Sequence, residues 1–252
     1  MQGQNWSMWG RQFGMQQRRY AMNLYRLIFF SLSLSSVALL AQTATGSKAS
    51  LTWTHAFQPG QHVHLEMNVG SLHIVRSPDQ RQIQLVIAPG HAFTPEQIHA
   101  WVTQFEIRNN KEAFIQVRTP NDNQDHRNSD NRCHMKMSLS GSDCEVTLYV
   151  PTETSLNVGL NVGEMTVEDI RGDKDLRINV GELDIQGVDR GDYAKVVNST
   201  DVGLIDDPVF HSEQSGWIGK TETILGKGKY SINARVNVGK IKYQEDHQPQ
   251  TD

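Results

Sequence analysis

Polar and apolar residues alternate along much of the chain beyond residue 50. HVHLEMN (62–68), SLHIV (71–75) and RQIQLVI (81–87) all do so. Period-two alternation predicts strands that bury one face. AFIQVRT (113–119) and EVTLYVP (145–151) continue the pattern, with Asn68-Val69-Gly70 separating the first two strands. One stretch departs from it. In TPEQIHAWVTQFEI, Thr94 is an N-cap, Pro95 takes the first helical position and Gln97 completes a capping box. Ile98, Trp101, Val102 and Phe105 then fall on one helical face. The spacing predicts a helix over 94–106, laid across the end or side of a sheet.

A motif recurs within the alternating segments. INVGELDI (178–185) returns as NVGSLHI from Asn68, NVGEMTV from Asn161 and NVGKIKY from Asn237, with a worn copy, DVGLIDD, from Asp201. The last three intervals are 18 residues (Asn161 to Asn179), 22 (to Asp201) and 36 (to Asn237), the last close to two turns of 18. Each interval holds two or three short strands with their corners, and each unit buries its apolar face only by stacking on its neighbours. In this register Val180, Leu183 and Ile185 point inward, as do Val162, Met165 and Val167, and Val238, Ile241 and Tyr243. Glu182 and Asp184 point outward. Gly70, Gly163, Gly181, Gly203 and Gly239 mark corners, where a residue without Cβ turns the strand or admits a neighbouring backbone. Asn68, Asn161, Asn179, Asp201 and Asn237 bond to local backbone, or to the Asn one rung away. The fold class is all-β: a single-domain β-solenoid or β-helix-like stack over 51–243. It carries an inserted helix, a polar loop (120–142) and a disordered tail (244–252).

FQPGQHVHLEMNVGSLHIV, the run CEVTLYVPTETSLNVGLNVGEMTVEDIRGDKDLRINVGELDIQGV and the closing GKYSINARVNVGKIKY together resemble the putative adhesin domain family. This is a group of unknown function common in bacterial envelope proteins. The match covers roughly 51–243 and rests on order and spacing. It implies a β-solenoid-like stack and an envelope role, and it brings no catalytic residues.

Charge and the amino terminus narrow the function. Lys and Arg number 24 against 28 Asp and Glu, a formal net charge of -4, which gives no general attraction to nucleic acid or anionic lipid. Arg18, Arg19 and Arg26 precede the apolar run LIFFSLSLSSVALL (27–40), and small residues follow it. That order describes a secretory signal peptide over 1–41, cleaved after Ala41 with Ala44 as a rival site. The run falls short of the ~20 apolar residues of a membrane span; a retained anchor is the alternative. Export favours a bridge between Cys133 and Cys144, the only two cysteines, over two free thiols. Closing so short a loop contributes roughly 2–3 kcal/mol in the chain-entropy model.

Candidate chemistry is sparse. Glu164 and Glu182 occupy one slot in adjacent rungs, where a carboxylate pair could do glycosidase work. A solvated face is the plainer account, since no His, Arg or Lys recurs beside them. With Asp169 or Asp184 they could also hold calcium. His62, His64 and His73 could place three imidazoles on one face for zinc, although exposed strand histidines are commoner. RGD occurs twice (171–173 and 190–192), as ordinary turn chemistry. No cofactor, metal or catalytic group is expected. Glu164, Glu182, Asp184, Lys240 and Lys242 form the candidate binding face, acidic in the middle and basic at one end. The expected function is a non-catalytic exported envelope or surface protein, an adhesin or assembly scaffold with a protein or polysaccharide partner. The alternatives are a solenoid carbohydrate-active enzyme and a scaffold that self-associates through its ends.

Overall fold

A computed structural model describes residues 50–89, 93–109, 111–119, 144–211 and 218–245. The expected signal segment, the polar loop and residues 246–252 of the expected tail lie outside the described residues. The described chain is β1 (Leu51–Ala56), β2 (His62–Arg76), β3 (Gln82–Pro89), α1 (Pro95–Trp101), β4 (Val102–Arg108), β5 (Glu112–Val117), β6 (Cys144–Val150), β7 (Ser155–Glu168), β8 (Lys174–Val188), β9 (Tyr193–Asp206), β10 (Ile218–Leu225) and β11 (Tyr230–Glu245). A single 3-10 turn, Arg190–Asp192, precedes β9.

The strands form one mixed, open sheet in the order β1-β3-β6-β2-β7-β8-β11-β9-β10, with β5 also on β2 and β4 on β5. β2, β7, β8, β11 and β9 carry the motif and pair in parallel, glycine on glycine: Gly70, Gly163, Gly181, Gly239, Gly203. Each repeat therefore contributes one long bent strand and not two or three short ones, and the 36-residue interval holds β10 besides. Among the described residues the sheet stays open and mixed, where the sequence predicted a β-solenoid-like stack of short strands.

Burial shows how one strand lines a core twice. In β7 the buried residues are Leu156, Val158 and Leu160, then Met165 and Val167; in β11 they are Ile232, Ala234 and Val236, then Ile241 and Tyr243. Core positions advance by two, step by five across the motif, and advance by two again. An odd step in an alternating strand changes its parity, so both arms of the bent strand face one continuous core.

This parity change corrects the expected inward set. In the β8 copy of the motif the core residues are Ile178, Leu183 and Ile185, while Val180 is 44% exposed and Val238 of β11 is 46% exposed. Val162 is half-buried. The valine of the motif sits on the outside of the bend, because the chain turns there and the next core residue comes five positions after the last one of the first arm, Leu183 after Ile178. The glycine has a separate reason. φ at the five glycines runs from +135° to +154°, a region that L side chains rarely adopt. A Cβ at Gly181, Gly203 or Gly239 would stand 1.7 Å from the carbonyl oxygen of the next glycine in the row.

Two further expectations are corrected. The 36-residue interval is not two turns. From β9 the chain reverses into antiparallel β10 on one side, then returns as β11 on the other, between β8 and β9. The helix ends at Trp101, and Val102 is already extended at φ -85°, ψ 92°. VTQFEIR alternates, opens with two β-branched residues and pairs antiparallel with β5, so an available sheet edge overrides helical spacing. Ile98 and Trp101 are the buried residues of α1, whose capping box forms as the sequence predicts. Gln244 and Glu245, assigned to the tail from sequence, belong to β11.

Candidate functional site

The second arms of the bent strands set the residues between core positions in register, and of these Ser71 is buried. One row runs Ser71, Glu164, Glu182, Lys240, Leu204; the next runs His73, Thr166, Asp184, Lys242, Asp206. Glu164, Glu182, Asp184, Lys240 and Lys242 therefore share one face. Lys240 Nζ lies 3.0 Å from Asp206, and Lys242 Nζ lies 4.0 Å from Asp184. Gln186 and Gln244 each donate to Asp184 Oδ2 at 2.8 Å. Asp184 Oδ1 is buried and has no hydrogen-bond partner among the described residues. Glu164 and Glu182 are exposed neighbours of like charge.

At the corners the amide side chains form their own ladder. Asn179 Nδ2 donates to Asn161 Oδ1 at 2.6 Å, and Asn237 Nδ2 donates to Asn179 Oδ1 at 2.9 Å. Arg235 donates to Asn237 Oδ1 at 3.2 Å and pairs with Asp201 at 3.6 Å, so the row ends on an acid. Asn68 turns to Thr119 instead, donating to its carbonyl and accepting from its amide, both at 2.8 Å.

The first arms hold a groove that the sequence reading missed. His62, His64, Ser155, Asn157, Asp173, Asp175, Ser231 and Asn233 line a cavity of about 220 Å³. His64, Asn157, Asp175 and Asn233 form one row across four strands. Each stands four residues before a motif Asn (68, 161, 179, 237), so the repeat extends further back than its conspicuous part. Asn233 donates to Asp175 Oδ1 at 3.1 Å. His64 stacks on Phe114 with centroids 4.7 Å apart. His62 and His64 lie on the first arm of β2 and His73 on the second, beyond the bend.

Behind the groove, Lys174 is buried at the start of β8 and donates to Gly172 O at 3.1 Å and to the Tyr193 hydroxyl. Burial pushes its pKa down to about 7, although Asp173 and Asp192 act in the other direction. Burial also raises the Tyr193 phenol. A second polar cluster lies between β9, β10 and β11. The Tyr243 hydroxyl donates to Asn198 Oδ1 at 2.6 Å, and Asn198 Nδ2 reaches Asp207 Oδ2 at 3.5 Å. Burial raises Asp207 to about 6, against hydrogen bonds from the Phe210 and Val209 amides.

The two RGD sequences act as turns. Arg171 pairs with Asp192 at 3.6 Å, joining one tripeptide to the other, and Asp173 accepts from Ser231 N at 2.7 Å. Asp189 caps the 3-10 turn through the Gly191 amide at 2.8 Å. Cys144 is buried at the head of β6, and Cys133 lies outside the described residues.

No family model and no curated protein matches the chain. Among solved structures it is similar to a putative cell adhesion protein from Clostridium sporogenes, at 16% identity and a TM-score of 0.42, over 78% of this chain and 100% of that one. A putative adhesin from Bacteroides fragilis is similar at 13% identity and a TM-score of 0.29, over 78% of this chain and 98% of its own. A putative adhesin from Parabacteroides distasonis follows at 11% identity and a TM-score of 0.23, over 79% of this chain and 98% of its own.

Proposed function

We propose that the protein is an exported, non-catalytic envelope or surface protein. In this reading its solenoid-like row of bent strands holds a charged face against a protein or polysaccharide partner. The observation that carries the reading is the unbroken register of Glu164, Glu182 and Lys240 beside Asp184, Lys242 and Asp206. Parallel strands keep such side chains ~4.8 Å apart. A face already held rigid loses little freedom when a partner docks, so binding needs no deep pocket.

Joint reversal of Glu164→Lys and Glu182→Lys tests the face. Both residues are exposed, so the unfolding midpoint should stay nearly unchanged. Binding to isolated cell-envelope fragments should change, and more at low salt, because exposed charges are screened. Unchanged binding, in a protein shown to bind those fragments, removes the face from the proposal. Export makes two related demands. The mature chain begins between Gln42 and Lys48, readable by intact mass, and Cys133 is bridged to Cys144, so alkylation without reductant leaves both unmodified.

A further inference from the structure

The glycines of the parallel strands are not all there for one reason. Gly163, Gly181, Gly203 and Gly239 have positive φ, and an added Cβ would stand 1.7–1.9 Å from the carbonyl oxygen of the neighbouring glycine. Gly159 of β7 has neither reason. Its φ is not positive, and an added Cβ would meet nothing within 4 Å. It pairs with Glu66 on β2 and Arg177 on β8 without a shift of register. Glycine inside a strand weakens it, and commonly marks a bulge, a tight bend or a place where another backbone or a ligand comes close. Among the described residues Gly159 has no bulge, no bend and no approaching backbone, which leaves the ligand.

Gly159 also continues the floor of the groove. β7 presents Ser155, Asn157 and Gly159 outward, all small, between longer walls. His62, His64 and Glu66 stand on one side, and Asp173, Asp175 and Arg177 on the other. Walls two strands apart are separated by ~9.6 Å. The acidic wall is braced: Asp173 Oδ1 accepts from the Ser231 amide and hydroxyl, and Asp175 is held by Asn233 and Arg177. Among the described residues Ser155 Oγ, the Asn157 side chain and the His62 ring have no hydrogen-bond partner. The apolar residues at the base, Val63 and Leu156, are buried.

This lining selects by chemistry. With no exposed apolar surface, the groove gives a peptide side chain or an acyl chain nothing to bury against. Glu66, Asp173 and Asp175 outnumber one guanidinium that already pairs with Asp175, so an anion is repelled. Hydroxyl, amide, imidazole and carboxylate groups together match a neutral molecule that donates and accepts around its whole edge. A sugar ring has that character. The cavity of about 220 Å³ equals about seven waters at ~30 Å³ each, which is room for one ring.

We propose that the groove along β7 binds a neutral glycan, with one sugar ring over Ser155 and Asn157 and the next over Gly159. The site lies on the first arms and is independent of the charged face on the second. Ligand-observed NMR titration of the purified protein with maltotetraose, cellotetraose and chitotetraose tests it. At least one should bind with a Kd of about 1 mM or tighter. Gly159→Ile fills the floor with a β-branched side chain that suits a strand. It should weaken that binding at least tenfold without lowering the melting temperature. Asn157→Leu, which removes the central donor and acceptor, should do the same. Joint reversal of Glu164 and Glu182 to Lys should leave it unchanged, so failure of the groove and failure of the charged face read separately. No binding of any of the three sugars at about 10 mM overturns the inference. So does sugar binding by Gly159→Ile as tight as that of the native protein.

Discussion

Ile98 and Trp101 close the core at one end of the sheet with hydrocarbon and an indole ring, whereas the other end keeps charge inside. The buried charged residues among the described ones are Lys174, Asp207, Lys220 and Glu222, and all lie on β8, on β10 or just after β9. The buried polar residues before β7 are uncharged: Ser71, Ser77, Thr119 and Thr154. A stack of strands must finish somewhere, and each finish has a consequence. An apolar lid removes the edge from further pairing. Buried charge tolerates a neighbour only when that neighbour supplies the opposite sign.

Three measurements break or sharpen this contrast. The largest effect belongs to the glycine row. At the lidded end an added Cβ on Gly70 would meet the Met67 methyl at 2.6 Å and the Cys144 carbonyl at 2.9 Å, and the methyl can move. At the other end, a Cβ on Gly203 would meet the Gly239 carbonyl oxygen at 1.7 Å, and that backbone is held by strands on both sides. Gly203→Ala should cost about 4 kcal/mol or more by urea denaturation, and Gly70→Ala clearly less. The reverse order would mean that the last strands yield where the first do not.

Truncation of the two ends comes next. Ile98→Ala empties a fully buried site under the lid and should cost about 3 kcal/mol. Ile218→Ala removes an exposed side chain, and stability should stay within about 0.5 kcal/mol. Similar losses at both positions would show that the β10 end is lidded too.

The smallest effect is set by pH. Lys174 in the folded protein has its pKa lowered from 10.5 to about 7. Between about pH 7 and pH 10 the unfolded chain binds more protons at this position, so its contribution makes stability rise with pH across that window. Replacing the buried ammonium by a thioether in Lys174→Met should flatten that rise and add about 1–2 kcal/mol below pH 7. An unchanged pH profile would remove Lys174 from the charged interior of this half.

Much of the fold was legible in local chemistry. Alternation in RQIQLVI and EVTLYVP appears as β3 and β6, and Thr94, Pro95 and Gln97 start the helix where the capping box lies. The motif identified which strands would stack, because a glycine at each repeat is required by the carbonyl beside it. The charged face follows from the same register. The groove was less visible, since His64, Asn157, Asp175 and Asn233 share a position but not a residue type.

What the sequence by itself determined is periodicity: which residues alternate, where the glycines fall and where a helix can begin. Val180, the end of α1 and the place of β11 were decided by the tertiary structure. Whether Val180 faces the core depends on how far the chain steps at the bend, and alternation on either side cannot count that step. VTQFEIR could continue a helix or form a strand, and the free edge of β5 selected the strand. β11 could have stacked beyond β9. Parallel pairing with β8 on one side and β9 on the other satisfies both of its edges, and which neighbours a strand obtains is a property of the whole sheet.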